Sequence, residues 1–235
     1  MNQILKEVGI STIVRDEIEN PAGGIERFVH SHAPFVSQMV VQDTGSTDGT
    51  YETLKKLAKI YSNLFVPEPI LFEGYSDARN KCLSYIKTPL TLVLDADELI
   101  TSENPKNNWA ELKLAIFSVV NQHKDLDSFS LKAMHIFLEN EFDLIPYNPQ
   151  RLFRTGKVEY YRDVFENPWV DSSIRISVPL FHFLPSLESR SKKMKNWYRT
   201  ENTDFKKNIS EKISPRDTEG FQEWKEYNPK RDNYE

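Results

Sequence analysis

Thr91-Leu92-Val93-Leu94-Asp95-Ala96-Asp97-Glu98 is the stretch on which the reading of this chain turns. Its apolar run has the composition of a strand buried on both faces, as in parallel sheets. The run ends in three carboxylates around one alanine. If extended geometry persists to the end, Asp95 and Asp97 point the same way. Like charges held that close repel, so their natural partner is a cation. In an α/β sheet, ligands also sit at the carboxyl ends of strands. The stretch therefore predicts a metal-assisted site at residues 95–98. Hard cations such as Mg²⁺ and Mn²⁺ favour oxygen ligands and share them with substrate phosphates. The plainer alternative is a strand-to-helix turn with solvated acids, which sits awkwardly at the exit of a buried strand.

Working outward, residues 8–14 read as a first buried strand ending in Arg15-Asp16-Glu17. A turn at residues 21–24 leads to a short helix over 25–32, closed before Pro34. A second strand over 35–42 runs into Asp43-Thr44-Gly45-Ser46-Thr47-Asp48-Gly49. Tyr51, Leu54, Leu57, Ala58 and Tyr61 then recur at helical spacing with lysines opposite them. Residues 64–66 form a short third strand. Ser76 is placed to cap a helix whose apolar stripe is Ala78, Cys82 and Ile86. This alternation of strand and helix predicts a largely parallel sheet with helices on both faces.

Beyond Glu98 the pattern changes. A helix within residues 104–122 carries Leu112, Ile116, Val119 and Val120 on one face. Residues 128–138, 151–154, 158–165 and 174–183 read as further strands, more antiparallel in character. Residues 186–202 predict a basic helix with Arg190, Lys192, Lys193, Lys195 and Arg199, and the end of the chain reads as a loosely packed tail.

Composition narrows the function classes. The chain has 235 residues, 39% hydrophobic and 28% charged, with 30 basic against 35 acidic residues and a net charge of −5. A duplex-binding domain would carry a basic surplus, so nucleic acid is not an expected partner. The single cysteine, Cys82, excludes an internal disulfide and reads as a packed thiol. The first residues contain no signal-peptide apolar core, and no run is long enough for a transmembrane segment. A cytoplasmic location is expected.

Several positions outside residues 95–98 suit chemistry. A carboxylate at Asp43 can accept hydrogen bonds from a base imide or a ribose hydroxyl; alone, the segment 43–49 would pass for a turn with a helix cap at Ser46 or Asp48. Glycine-rich phosphate cradles of the dinucleotide-binding and P-loop types are absent from the sequence. Arg79 suits a diphosphate or carboxylate, although taken alone a pair with Asp77 or a surface charge explains it slightly better. His182, inside Pro179-Leu180-Phe181-His182-Phe183, is by default a core histidine, and Mn²⁺ accepts imidazole. Glu166 follows a strand and would alone be called a surface acid.

Taken together, these pieces form a pattern. Val40-Val41-Gln42-Asp43-Thr44-Gly45-Ser46-Thr47-Asp48-Gly49-Thr50, then Tyr75-Ser76-Asp77-Ala78-Arg79-Asn80, then Leu92-Val93-Leu94-Asp95-Ala96-Asp97-Glu98 resembles family 2 glycosyltransferases of the GT-A fold. Arg151-Leu152-Phe153-Arg154 is similar to a recurrent segment of the bacterial branch. The resemblance covers roughly residues 8–200 in the right order. It implies a Rossmann-related, mixed but mostly parallel α/β sheet flanked by helices. It also implies a single domain with a donor-binding half (1–100), an acceptor-binding half (101–185) and a C-terminal extension (186–235).

The resemblance further implies roles. Asp43 meets the base, with Arg15 and Asp16 nearby. Arg79 lies near the nucleotide or its phosphates, and Asp95 holds ribose or sugar. Asp97 and His182 ligate Mn²⁺ or Mg²⁺. Glu166 is the candidate base, and because Phe165 stands where the family pattern has histidine, Asp163 is a second candidate. The implied activity is inverting transfer of a hexose from a nucleotide-diphosphate sugar, with UDP favoured, to a hydroxyl of a glycan, lipid-linked glycan or protein. A non-catalytic nucleotide or sugar binder on the same fold is the main alternative, and a nucleotidyltransferase the next. The segment 15–24 lacks the Gly- and basic-rich loop the latter would need.

Overall fold

The computed structural model describes residues 5–18, 20, 24–100, 105–137, 142–147, 149–161, 167–168 and 173–184. Two units divide the chain, Met1–Arg190 and Ser191–Glu235, and the second lies wholly outside the described residues.

Within the first unit, strand β1 (Leu5–Val14) leads to helix α1 (Ile25–His32), a short 3₁₀ turn (Ala33–Phe35) and β2 (Val36–Asp43). Helix α2 (Thr50–Ile60), β3 (Leu64–Phe65), α3 (Tyr75–Leu83) and β4 (Leu90–Val93) follow. The expected alternation is therefore present, and β1 pairs in parallel with both β2 and β4. β2 shows why the sheet is covered on both sides. Met39 and Val41 join Phe28 of α1 and Leu54 of α2 in the main core, while Val40 turns to Cys82 of α3 and Ile86. Cys82 is the buried thiol expected of it. Gly9 allows the close approach of the loop before β4, since a Cβ there would come within 2.5 Å of Thr88 Oγ1.

The second part of the unit widens this sheet. β5 (Glu98–Leu99) precedes helix α4 (Pro105–Ala115), which continues into one wider, π-helical turn (Ile116–Val120). Next come β6 (Ser128–Phe137), β7 (Phe142–Tyr147), β8 (Gln150–Arg154), β9 (Tyr160–Tyr161), β10 (Asn167–Pro168) and β11 (Ser173–Leu184). Among the described residues the main sheet runs β3-β2-β1-β4-β8-β6-β11-β5, with β7 on β6, and β9 pairs β10 separately. β8 is antiparallel to β4 and β6, whereas β11 runs parallel to β6, giving a mixed sheet. Large buried side chains, among them Trp109, Phe129, Ile10 and Leu92, fill one core beneath it.

Two local expectations are corrected. The helix expected to start at a Ser76 cap starts at Tyr75, with Gly74 at φ 153° before it and no side-chain cap bond. More consequentially, the opening stretch is not extended to its end. β4 stops at Val93, the chain turns through Asp95 to Asp97, and Glu98 begins β5 against β11. The turn is closed from within, because Glu98 N–H donates to the Asp95 carbonyl at 2.9 Å and Asp95 N–H to Glu98 Oε2 at 3.0 Å. Asp95 and Asp97 consequently meet different partners.

Candidate active site

Register brings the carboxyl ends of three strands together. Val14 of β1 pairs with Asp43 of β2, and Ser11 of β1 pairs with Val93 of β4. Ligand sites in α/β sheets form at such ends. The residues singled out at Asp43 and at 95–98 therefore flank the exit of β1.

At the first corner Asp43 is fully buried, at 0% exposure. Its Oδ1 accepts the backbone N–H groups of Gly45 and Ser46, both at 2.8 Å. Gly45 adopts φ +95°, a backbone that a side chain would strain. Asp43 Oδ2 is buried with no hydrogen-bond partner among the described residues. Leaving a buried acceptor unsatisfied is costly, so its place marks where a donor group is expected.

The loop after β1 is laced to the same turn. Asp16, at the left-handed φ of +52°, donates its N–H to Ser46 Oγ at 3.0 Å and accepts the Thr47 N–H on Oδ1 at 2.7 Å. Glu17 N–H reaches Thr50 Oγ1 at 2.9 Å and Ile18 N–H reaches Asp48 Oδ2 at 2.8 Å. Arg15 lies at the rim, 3.7 Å from Asp16 and 55% exposed. On the other flank, Gln42 Nε2 donates to the Asp43 and Glu68 carbonyls, and Ile70 N–H donates to the Asp43 carbonyl at 3.1 Å.

The second corner is built from formal charges. Asp95 Oδ1 accepts Arg79 Nη2, and Asp95 Oδ2 accepts Arg151 Nη2 at 3.1 Å. The same Arg151 nitrogen also donates to Oε1 of Glu98, which is itself 0% exposed. Asn80 fixes the helix that carries Arg79: its Nδ2 donates to the Tyr160 carbonyl and its Oδ1 accepts the Tyr160 N–H, both at 2.8 Å. Arg79 also lies over the Tyr160 ring. Burial pushes the Asp95 carboxyl upward, but Arg79 and Arg151 outweigh it and hold it well below the usual carboxylate range. For Glu98 burial prevails and lifts the carboxyl above its ordinary value, against the pull of Arg151.

Asp97 takes a different direction. Its Oδ2 lies 3.5 Å from His182 Nε2, and its carbonyl accepts the Phe183 N–H at 2.8 Å. The pairing of His182 with Glu98 in the β11–β5 ladder places this imidazole beside the turn. Burial lowers the His182 pKa, yet the bond and charge of Asp97, with Glu98 and Asp95, raise it overall. Arg27 of α1 stacks on Phe183 at 4.3 Å and feels the charge of Asp97.

Among the described residues no group of three or more His, Cys, Asp or Glu side chains is arranged to hold a metal by itself. Asp95 and Glu98 are engaged by arginines, while the Asp97 carboxylate and the His182 imidazole face each other at 3.5 Å and bring one oxygen and one nitrogen together. One oxygen and one nitrogen donor suit Mn²⁺ when substrate phosphates complete the shell. The residues fit such a group in that shared form.

Of the positions singled out in the sequence, Arg79, Asp95, Asp97 and His182 thus gather in one cluster. Arg15, Asp16 and Asp43 form another on the far side of β1. Glu166, Asp163 and the basic helix at residues 186–202 lie outside the described residues. Sequence reasoning gave no role to Arg151 or Arg27, and none of its own to Glu98. A charge argument could have found Arg151: acids at a buried strand exit need more than one guanidinium, and Arg151-Leu152-Phe153-Arg154 was in view.

The sequence model of Glycosyl transferase family 2 matches residues 20–120. That match bears out the resemblance read from the motifs. No curated protein matches the chain by sequence. Among solved structures, the chain is similar to TarS 1–349 of S. aureus at 16% identity and a TM-score of 0.51, over 75% of this chain and 60% of that one. It is also similar to the mannosyltransferase PcManGT from Pyrobaculum calidifontis, solved with GDP-Man and Mn²⁺. There the identity is 16% and the TM-score 0.55, over 89% of this chain and 66% of that one. These likenesses establish the GT-A type of fold, and the chain spans less than two thirds of either protein's length.

Proposed function

We propose that this chain, whose residues 20–120 match the model of Glycosyl transferase family 2, is a glycosyltransferase that moves a hexose from a nucleotide-diphosphate sugar to an acceptor hydroxyl with inversion. The observation that carries the proposal is Asp43, fully buried with one oxygen satisfied by backbone N–H groups and the other without a partner. The imide N–H of a uracil is the type of donor that oxygen requires, so UDP is the proposed nucleotide. Asp16 and Arg15 border the base and ribose from the β1 loop. Asp95 faces the ribose or the sugar across its exposed portion, 32% of the side chain. Arg79 contributes positive charge near the phosphates while anchoring Asp95.

Asp97 and His182 are the proposed holders of Mn²⁺ or Mg²⁺, which when bound supplies Lewis-acid stabilisation of the departing diphosphate. Arg27, close enough to feel the charge of Asp97, adds a fixed cation to that side. In the transfer, the acceptor oxygen forms a bond to the anomeric carbon as the bond from that carbon to the diphosphate oxygen breaks. The acceptor's proton passes to a carboxylate base, Glu166 or else Asp163. Positive charge on the sugar ring and negative charge on the diphosphate grow together, as in glycoside hydrolysis.

The donor half at residues 1–100 and the acceptor half at 101–185 belong to this reading. So does a cytoplasmic location, with a glycan, a lipid-linked glycan or a protein as acceptor. Among the described residues no helix is long and apolar enough to cross a membrane. The test is a thermal-shift panel of UDP, GDP and dTDP sugars with Mn²⁺, Mg²⁺ or chelator, followed by donor turnover. A ligand at about 100 times its Kd stabilises by roughly 2.7 kcal/mol. Metal-dependent stabilisation without turnover would leave only a binder, and no stabilisation by any donor would end the proposal.

A further inference from the structure

Arg151 joins segments that are far apart in sequence. In the β4–β8 ladder Leu92 pairs with Leu152, which sets Arg151 beside the point where β4 gives way to the turn. Its Nη2 reaches both Asp95 and Glu98, and its side chain is only 13% exposed. Asp95 is held on its other oxygen by Arg79. Glu98 uses its second oxygen on the Asp95 N–H, and its own N–H on the Asp95 carbonyl. Both ends of the turn are thus fixed, and Asp97 between them is directed to His182.

Resting on the transferase reading, and deepening it, we propose that Arg151 is a positioning residue for the Asp95-Ala96-Asp97 turn. It acts through Asp95 and Glu98 and does not itself touch the donor. A purely stabilising role explains the arrangement less well. Buried ion pairs cost so much desolvation that well-packed apolar side chains often stabilise as well or better. What a guanidinium does here, and an apolar side chain does not, is tie two carboxylates to one point and so set the direction of the residue between them. Both contacts come from a single nitrogen, so a lysine ammonium with its three donors can replace much of the function.

The test compares Arg151→Met, Arg151→Lys and the unaltered chain in two measurements. Amide hydrogen exchange over residues 94–99 is expected to quicken about tenfold or more in Arg151→Met and to return most of the way in Arg151→Lys. In donor turnover, kcat is expected to fall about 100-fold in Arg151→Met with donor KM changed by about threefold at most, and to recover in Arg151→Lys. Should Arg151→Met fail to fold because the buried Glu98 is left without its guanidinium, Arg151→Met with Glu98→Gln removes the excess charge, and the same measurements apply. Unchanged exchange over residues 94–99, or no recovery with lysine, overturns the proposal. So does a loss confined to donor KM, which would make Arg151 a direct donor ligand. If the unaltered chain turns over no donor, the transferase reading falls by itself, and the exchange comparison still decides the role of Arg151.

Discussion

Asp43 closes one buried strand and Asp95 stands just past the end of another, yet they are held by opposite means. Asp43 is satisfied by backbone N–H groups on one oxygen and has no partner on the other. Asp95 is engaged on both oxygens by guanidinium groups from α3 and β8. Dipoles hold the first carboxylate without cancelling its charge, so it remains an acceptor for a neutral donor. Formal charges hold the second, so it is already neutralised, and its neighbour Asp97 turns instead to His182. The first corner is fitted to recognise, the second to carry charge.

The largest effect that sharpens this contrast is expected at Asp97. Asp97→Ala should lower metal-dependent turnover about 1000-fold, or roughly 4 kcal/mol. Its melting temperature should move by only about a few degrees, because the carboxylate's contact with His182 is a long one, at 3.5 Å. Turnover at the original rate in that variant would remove the charge-carrying role from this corner.

Next in size is the acid sensitivity of the segment behind the turn. His32 accepts the Ile100 N–H on Nε2 and donates from Nδ1 to the Phe28 carbonyl, so the fold requires the neutral ring. Burial lowers its pKa from 6.5 to about 4. At pH 7 the ring is neutral in the folded chain and mostly neutral in the unfolded one. Below pH 6.5 the unfolded chain takes up a proton that the folded chain refuses until about pH 4, so stability falls across that window. The loss approaches roughly 3 kcal/mol, measurable by urea unfolding at several pH values. A His32→Gln variant should show a shallower slope, and an equal slope would place the acid-sensitive group elsewhere.

A smaller effect is expected at the recognition corner. Asp43→Asn keeps the oxygen that accepts Gly45 and Ser46 but turns the other position into a donor. Donor affinity should drop about tenfold to 100-fold, the worth of one hydrogen bond to a charged group. Direct titration without acceptor measures it; unaltered affinity would break the contrast between the corners. Least of all should change at Arg15, whose exposed pair with Asp16 spans 3.7 Å. Arg15→Ala should shift stability by about 0.5 kcal/mol or less, read from the same urea curves.

Much of this was legible in the sequence because it depends on local periodicity. The strand–helix alternation through residue 93 follows from apolar spacing, and so does the more antiparallel character beyond Ser128, from which β11 departs by running parallel to β6. Asp43, Asp95 and Asp97 were legible as acids at strand ends, and His182 as an imidazole inside a strand. The direction of the acids after Val93 was not. Extended geometry predicts that Asp95 and Asp97 point alike, and nothing local reveals that Glu98 leaves to pair with β11. Nor does local pattern reveal that Arg151 will stand beside Leu92 of β4, because the β4–β8 register joins residues some sixty positions apart.

Which elements form, and which of their ends carry acids, depends on the spacing of apolar side chains along the chain and could be read from it. Which acid meets which cation depends on packing between distant segments. Two arginines from elements far apart in sequence converge on Asp95, and one of them also on Glu98. Long-range pairing of strands thereby turned a run of three carboxylates into one neutralised by two arginines, one buried, and one directed at a histidine.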